Sequence, residues 1–216
     1  MNPVISHRQL KLNMEHGLLL PSSGRAYPMS MVASAKRWTV EEVLLLPDDG
    51  NRYEVVDGEL LVTPSPELRH EVASIELFRR LDAYVQREHI GTLFVSRGDV
   101  FFRGGERYVQ PDLFLVPLTT EQLPSAWRDV GTPTLVVEIL SPSTARADRM
   151  IKRRAYQDEG VSEYWIVDLD ARLIERWLPG DERGELSSTV LEWNPAGAGA
   201  PCSIDLVDYF TRIPRA

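Results

Sequence analysis

Residues 134–140, Thr-Leu-Val-Val-Glu-Ile-Leu, constrain this chain more than any other stretch. Five large apolar residues in so short a run, bounded by Pro133 and by Ser141-Pro142, read as a strand buried on both faces. Glu138 sits inside it. A carboxylate cannot leave water without a partner, so Glu138 has to be paired, protonated or bound to a cation.

Other segments supply the frame for such a strand. "RYEVVDGELLVTP" reads as a hairpin turned at Asp57-Gly58. From Glu67 to Glu88, Val72, Ile75, Phe78, Leu81 and Val85 recur every three or four residues and predict one buried stripe of an amphipathic helix. "TLFVSRGDVFFRGGERYVQPDLFLV" reads as two strands turned at Gly104-Gly105, and a polar, proline-bounded connection leads on to residue 134. A helix is expected from about Thr144 to Glu159, capped by Ser143 or Thr144 and ended by Gly160. "SEYWIVDLDARLIERWLP" gives strand, turn and strand, and "STVLEWN" one more strand before a short tail, "SIDLVDYF". The sum is an α/β fold, a mixed sheet covered on both faces. Residues 1–36, rich in Ser, Pro and small residues without a period, read as a loosely ordered extension, and 37–216 as one domain.

Three carboxylates fall on strand-like segments: Glu54 in "RYEVVDGE", Asp112 in "QPDLFLV" and Glu138. Acidic residues are depleted from strands, so a shared cation is the economical account of three together. Oxygen-only ligation points to Mg2+ or Mn2+. Taken singly, Asp112 reads equally well as a turn residue after Pro111, and Glu54 as the partner of Arg52 at a sheet edge. Asp148, Lys152 and Tyr156 follow at intervals of four on the next helix. They form either a solvated ion-pair face or one wall of a site. Between Ser141 and Tyr156, Arg146, Arg149, Lys152, Arg153 and Arg154 stand against Asp148 alone, in a chain of net charge -8. Acidic strands to hold metal beside a basic helix to hold phosphate suit a phosphodiester. His70 reads as a capping or surface group with a supporting role, and Ser141 and Ser143 as turn residues.

The acidic balance argues against nonspecific electrostatic adhesion to nucleic acid. A lone cysteine, Cys202, excludes a disulfide framework and fits a reducing cytoplasm. No apolar run approaches the ~20 residues that span a bilayer.

Together, "RYEVVDGEL", "QPDLFLV", "VVEILSPST" and "DRMIKRRAYQDEGVSEYWIVD" resemble the Uma2 family, whose core is similar to the PD-(D/E)xK restriction endonucleases. The resemblance spans residues 37 to 210 and implies a restriction-endonuclease-like mixed β-sheet flanked by helices. It implies Mg2+- or Mn2+-dependent hydrolysis of DNA by a homodimer. Asp112 and Glu138 match the two acidic motif residues and Glu54 the family's early glutamate. The metal ligands it implies are Glu54, Asp112, Glu138 and the Ile139 carbonyl. The lysine of the broader pattern is missing, since Leu140 stands there, and its role passes to Lys152, with Tyr156 and His70 in support. Arg146, Arg149 and Arg153 are the expected DNA contacts. The alternative is a catalytically silent nuclease fold kept for binding or as a scaffold.

Overall fold

The computed structural model describes residues 36–95, 98–102 and 104–215, so the expected N-terminal extension lies, but for residue 36, outside the described residues. A short helix α1 (Val40–Leu44) is closed by a capping box in which Thr39 and Glu42 each bond the other's backbone N–H. The hairpin β1 (Arg52–Val56) and β2 (Glu59–Thr63) follows. Asp57 and Gly58 both take positive φ, 52° and 85°, as a tight primed turn requires. Next come α2 (Leu68–Glu88), β3 (Thr92–Val95), β4 (Val100–Phe101), β5 (Arg107–Val109) and β6 (Leu113–Val116).

The expected pair of strands between residues 92 and 116 is therefore four short ones divided between two sheets. β3 pairs with β6, while β4 and β5, turned at Gly104-Gly105, join β1 and β2. The buried stripe of α2 also differs from the expected one. Ile75 is 44% exposed, and the buried face is His70, Ala73, Ser74, Leu77, Leu81, Tyr84 and Val85. Small and polar residues carry part of that face, and an apolar period does not count them.

After two single turns of 3-10 helix, the chain enters β7 (Leu135–Ile139), the strand that opened the argument. β8 (Glu163–Asp168), β9 (Leu173–Trp177) and β10 (Glu185–Ser187) extend its sheet to six strands in the order β10-β9-β8-β7-β6-β3. The only parallel pair among these is β7 with β8, joined by a helical crossover. β11 (Val190–Trp193) and β12 (Cys202–Asp205) form a separate ribbon, followed by α4 (Leu206–Thr211). What reads in sequence as a tail is thus a strand and a helix, and it buries Ile204, Leu206, Tyr209 and Phe210.

Strand periodicity sorts the side chains onto two faces. Leu113, Leu115, Leu135, Val137, Ile139, Trp165 and Val167 pack with α2, α4 and the ribbon. Phe114, Val116, Val136, Tyr164 and Ile166 pack on the other face, with the four-stranded sheet and the crossover helix. The mixed α/β architecture covered on both faces is what the sequence predicts. Glu138 shares the parity of the second set, so the alternation aims its carboxylate at the crossover helix.

Candidate active site

Glu138, on β7, is 3% exposed. Its Oε1 accepts from Lys152 Nζ at 3.0 Å and from the Tyr156 hydroxyl at 2.8 Å. Lys152 Nζ also reaches Glu54 Oε2 on β1 at 2.8 Å and Asp148 Oδ1 at 3.7 Å. The ammonium group, 3% exposed as a residue, thus joins two strands from different sheets to the crossover helix. The solvated ion-pair face considered for Asp148, Lys152 and Tyr156 is excluded, because all three are buried.

That helix departs from the expected form. Residues Ala147–Lys152 make a π-helical turn that passes into α3 (Arg153–Asp158). The Asp148 carbonyl accepts from the Arg153 N–H five residues on, and also from the Tyr164 hydroxyl at 3.1 Å. Insertions of this kind recur at functional sites because they reposition the side chains of one turn. Thr144 does stand just before the first helical residue, as expected of a cap, but its hydroxyl accepts from Ser141 N–H at 3.2 Å, folding the Ser-Pro-Ser-Thr loop on itself. Gly160 does end the helix, at φ 74°, with Val161 N–H closing back on the Tyr156 carbonyl.

Asp112 lies at the bend just before β6 rather than on the strand. Its Oδ1 accepts from Arg52 Nη1 and Nη2, each at 3.0 Å. Its Oδ2 accepts from the Ile139 N–H at 2.8 Å and from His70 Nε2 at 3.0 Å. Four donors meet a carboxylate with about four lone-pair directions, so Asp112 is saturated. Arg52 therefore partners Asp112 and not Glu54. His70, expected at the surface, is 7% exposed and faces the pocket. Continuing the β6–β7 register places Pro111 opposite Ile139, and proline has no N–H to give the Ile139 carbonyl.

Asp112, Glu138, Ile139, Asp148, Lys152, Arg52 and His70 line a pocket of about 750 Å3. Its walls are the strap Thr63–Glu67, the loop Ser141–Ala145 and the turn Asp168–Ala171. Glu54 is not in the lining; it reaches the cluster through Lys152, and its Oε1 accepts from Gln110 N–H at 2.7 Å. Of the arginines expected at DNA, Arg149 lines the pocket but pairs with Asp168 at 2.9 Å and with Glu175. Arg153 lies over Trp177, 4.5 Å from the ring centre, and outside the pocket. Arg146 is exposed.

Burial and charge pull the acids apart. Burial pushes Glu138 well above the usual carboxylate range, with Asp148, Asp112 and Glu54 adding repulsion and Lys152 opposing it. Asp148 rises to about 6, again through burial first, against the pull of Lys152 and the Thr144 hydroxyl. For Asp112 burial is outweighed by His70, Arg52 and the Ile139 N–H, which bring it down to about 2. Lys152 is raised, because its three carboxylates overcome the cost of burial. Buried titratable groups driven in opposite directions at the floor of a cleft mark it as a candidate site.

The model of the Uma2 family, described as "Putative restriction endonuclease", matches residues 40–202. The chain belongs to the Uma2 family. An uncharacterized protein of Synechocystis sp. is 24% identical over 169 residues, covering 77% of this chain and 94% of the relative. A crystal structure from Anabaena variabilis, described as a putative nuclease belonging to DUF820, superposes with a TM-score of 0.66 at 20% identity, covering 81% of this chain and 98% of that one. That likeness establishes the fold. Within this Uma2 chain, the sequence points to Glu54, Asp112, Glu138, Lys152 and Tyr156; the structure joins Glu54, Glu138, Lys152 and Tyr156 by direct contacts and sets Asp112 beside them on the Ile139 N–H. Arg52 and Arg69, which line the pocket, and Asp148 as a pocket acid are the additions. Only Asp148 had a sequence signal, its spacing of four from Lys152.

Proposed function

We propose that this chain hydrolyses DNA phosphodiester bonds in the cytoplasm, with Mg2+ or Mn2+ held by Asp112, Glu138 and the Ile139 carbonyl. The observation that carries the reading is a buried lysine braced by strand carboxylates on the floor of an open pocket, in a member of the family described as "Putative restriction endonuclease". Among the described residues no three acidic, histidine or cysteine side chains form a ready-made metal cage. The donor chemistry nonetheless fits a hard ion once Arg52 yields Oδ1 of Asp112: carboxylates of Asp112, Glu138 and Asp148 line the pocket, and Asp148 Oδ1 is buried without a hydrogen-bond partner.

A bound divalent ion supplies a water of lowered pKa and neutralises charge on the attacked phosphate. Lys152, held directly by Glu54 and by Glu138, which Tyr156 steadies, supplies a fixed positive charge beside the charge that develops there. His70 and Arg52 orient the Asp112 carboxylate. A homodimer with two such sites is part of this reading, and a strict monomer in sedimentation at micromolar concentration would remove that part.

The test is cleavage of plasmid and of single-stranded DNA with Mn2+. The expected result is hydrolysis by the parent chain and a loss of at least 100-fold in Glu138→Ala. Equal rates in both would leave the catalytically silent reading. A second expectation follows from the saturated Asp112. Arg52→Gln removes two donors and one positive charge from its Oδ1, so Mn2+ should bind several-fold tighter by calorimetry. Unchanged affinity would place the ion away from Asp112.

A further inference from the structure

Resting on the reading above, we infer that the substrate enters as a flexible single strand or a strand end, and that continuous duplex is a poor substrate. The reacting groups are recessed. Asp112, Glu138, Asp148 and Lys152 are between 2% and 5% exposed, on the floor of the cleft. A duplex carries its phosphates on the outside of a wide, stiff rod and cannot readily lower one onto a recessed floor. A single strand can, because its backbone bends and its bases splay.

The walls fit that occupant. Pro64, Pro66, Leu140, Pro142 and Leu169 give the cleft apolar sides suited to the faces of bases rather than to a row of phosphates. A second cavity of about 460 Å3 shares Arg52, Pro64, Ser65 and Pro66 with the first, so the strap between β2 and α2 stands between two adjoining chambers. A linear chain of nucleotides can occupy both, one on each side of the strap. The proline pair stiffens that strap, which favours a preformed entrance.

Charge points the same way. Every arginine and lysine lining the main cleft already has a carboxylate: Arg52 has Asp112, Arg69 has Asp170, Arg149 has Asp168 and Glu175, and Lys152 has Glu54 and Glu138. Holding a duplex takes many cations able to displace counterions, and this cleft offers few in a chain of net charge -8. Shape and base contact therefore carry the affinity.

The experiment measures anisotropy of one labelled oligonucleotide, single-stranded and annealed to its complement, with the Glu138→Ala protein between 50 and 200 mM salt. Cleavage of the same two substrates by the parent chain with Mn2+ is followed in parallel. Single strand should bind and be cut at least tenfold better than duplex, with a salt slope shallower than about -2. Ala171→Trp, at an exposed rim position whose backbone alone is engaged by Asp168, should cut single-strand binding at least tenfold with an unchanged melting temperature. Equal or tighter binding of duplex, or full binding by Ala171→Trp, overturns the inference. Preferential single-strand binding without cleavage upholds the inference and overturns the proposed hydrolysis. Binding of neither overturns both.

Discussion

Lys152→Met should lower stability at pH 7.5 by about 3–5 kcal/mol, the cost of leaving buried charge without its partner. For a folded region of this size that is a fall in melting temperature of more than about 6 °C. The reason is local. One ammonium group sits 2.8 Å from Glu54, 3.0 Å from Glu138 and 3.7 Å from Asp148, and none of the four side chains has appreciable access to water. Methionine matches the length of the aliphatic stem, so packing is nearly kept and the lost charge is isolated as the cause. The penalty should shrink at pH 5, where Glu138 and Asp148, both raised by burial, hold protons in the native state. Glu54→Gln added to Lys152→Met should recover part of the loss. Lys152→Arg should not restore the parent, because a planar guanidinium cannot point one donor at each of three carboxylates from that position. A melting temperature for Lys152→Met within 2 °C of the parent at pH 7.5 would refute the braced-lysine account.

Much of this arrangement is legible in sequence because it depends on local rules. Asp57-Gly58 announces its hairpin, the apolar runs of β6, β7 and β8 announce a sheet buried on both faces, and a glutamate inside such a run announces a site. The strand period even decides which face Glu138 takes. What is not legible depends on partners far apart in the chain. Arg52 meets Asp112 across 60 residues and His70 meets it across 42. No spacing rule forecasts either contact, so Arg52 reads as a partner for its near neighbour Glu54 and His70 as a surface group. The π-helical turn is invisible for another reason: it keeps Asp148 and Lys152 on one side much as an α-helix does, and only the backbone bond from Arg153 to Asp148 distinguishes it. The basic character of the crossover helix is real in composition but not in availability, since Arg149 and Arg153 are engaged within the fold.

Asp148→Asn should raise the melting temperature at pH 8 and leave it nearly unchanged at pH 4, although it removes a partner of Lys152. In the unfolded chain Asp148 titrates near 3.8, while in the native state burial and the charges of Glu54 and Asp112 lift it to about 6. Between those values the native state holds a proton that the unfolded chain has released, so stability falls as pH rises through that window. The gap corresponds to about 3 kcal/mol of stability at 1.36 kcal/mol per pH unit, fully present below about 4 and lost by pH 8. Glu138, displaced in the same direction, adds to the fall. Asp112 works oppositely: depressed to about 2, it stabilises the native state above its unfolded value, and that contribution disappears as the solution is acidified through about 2. Asparagine has no proton to lose, so it flattens the Asp148 part of the slope while Lys152 keeps Glu54 and Glu138. A divalent ion acts on the same strain. Mn2+ competes with the protons on these acids, so millimolar Mn2+ should raise the parent's melting temperature more at pH 8 than at pH 5. Melting curves of both proteins from pH 4 to 8, with and without Mn2+, decide the matter: parallel pH profiles would show that the Asp148 carboxyl is not held protonated, and indifference to Mn2+ at pH 8 would remove the ion from the pocket.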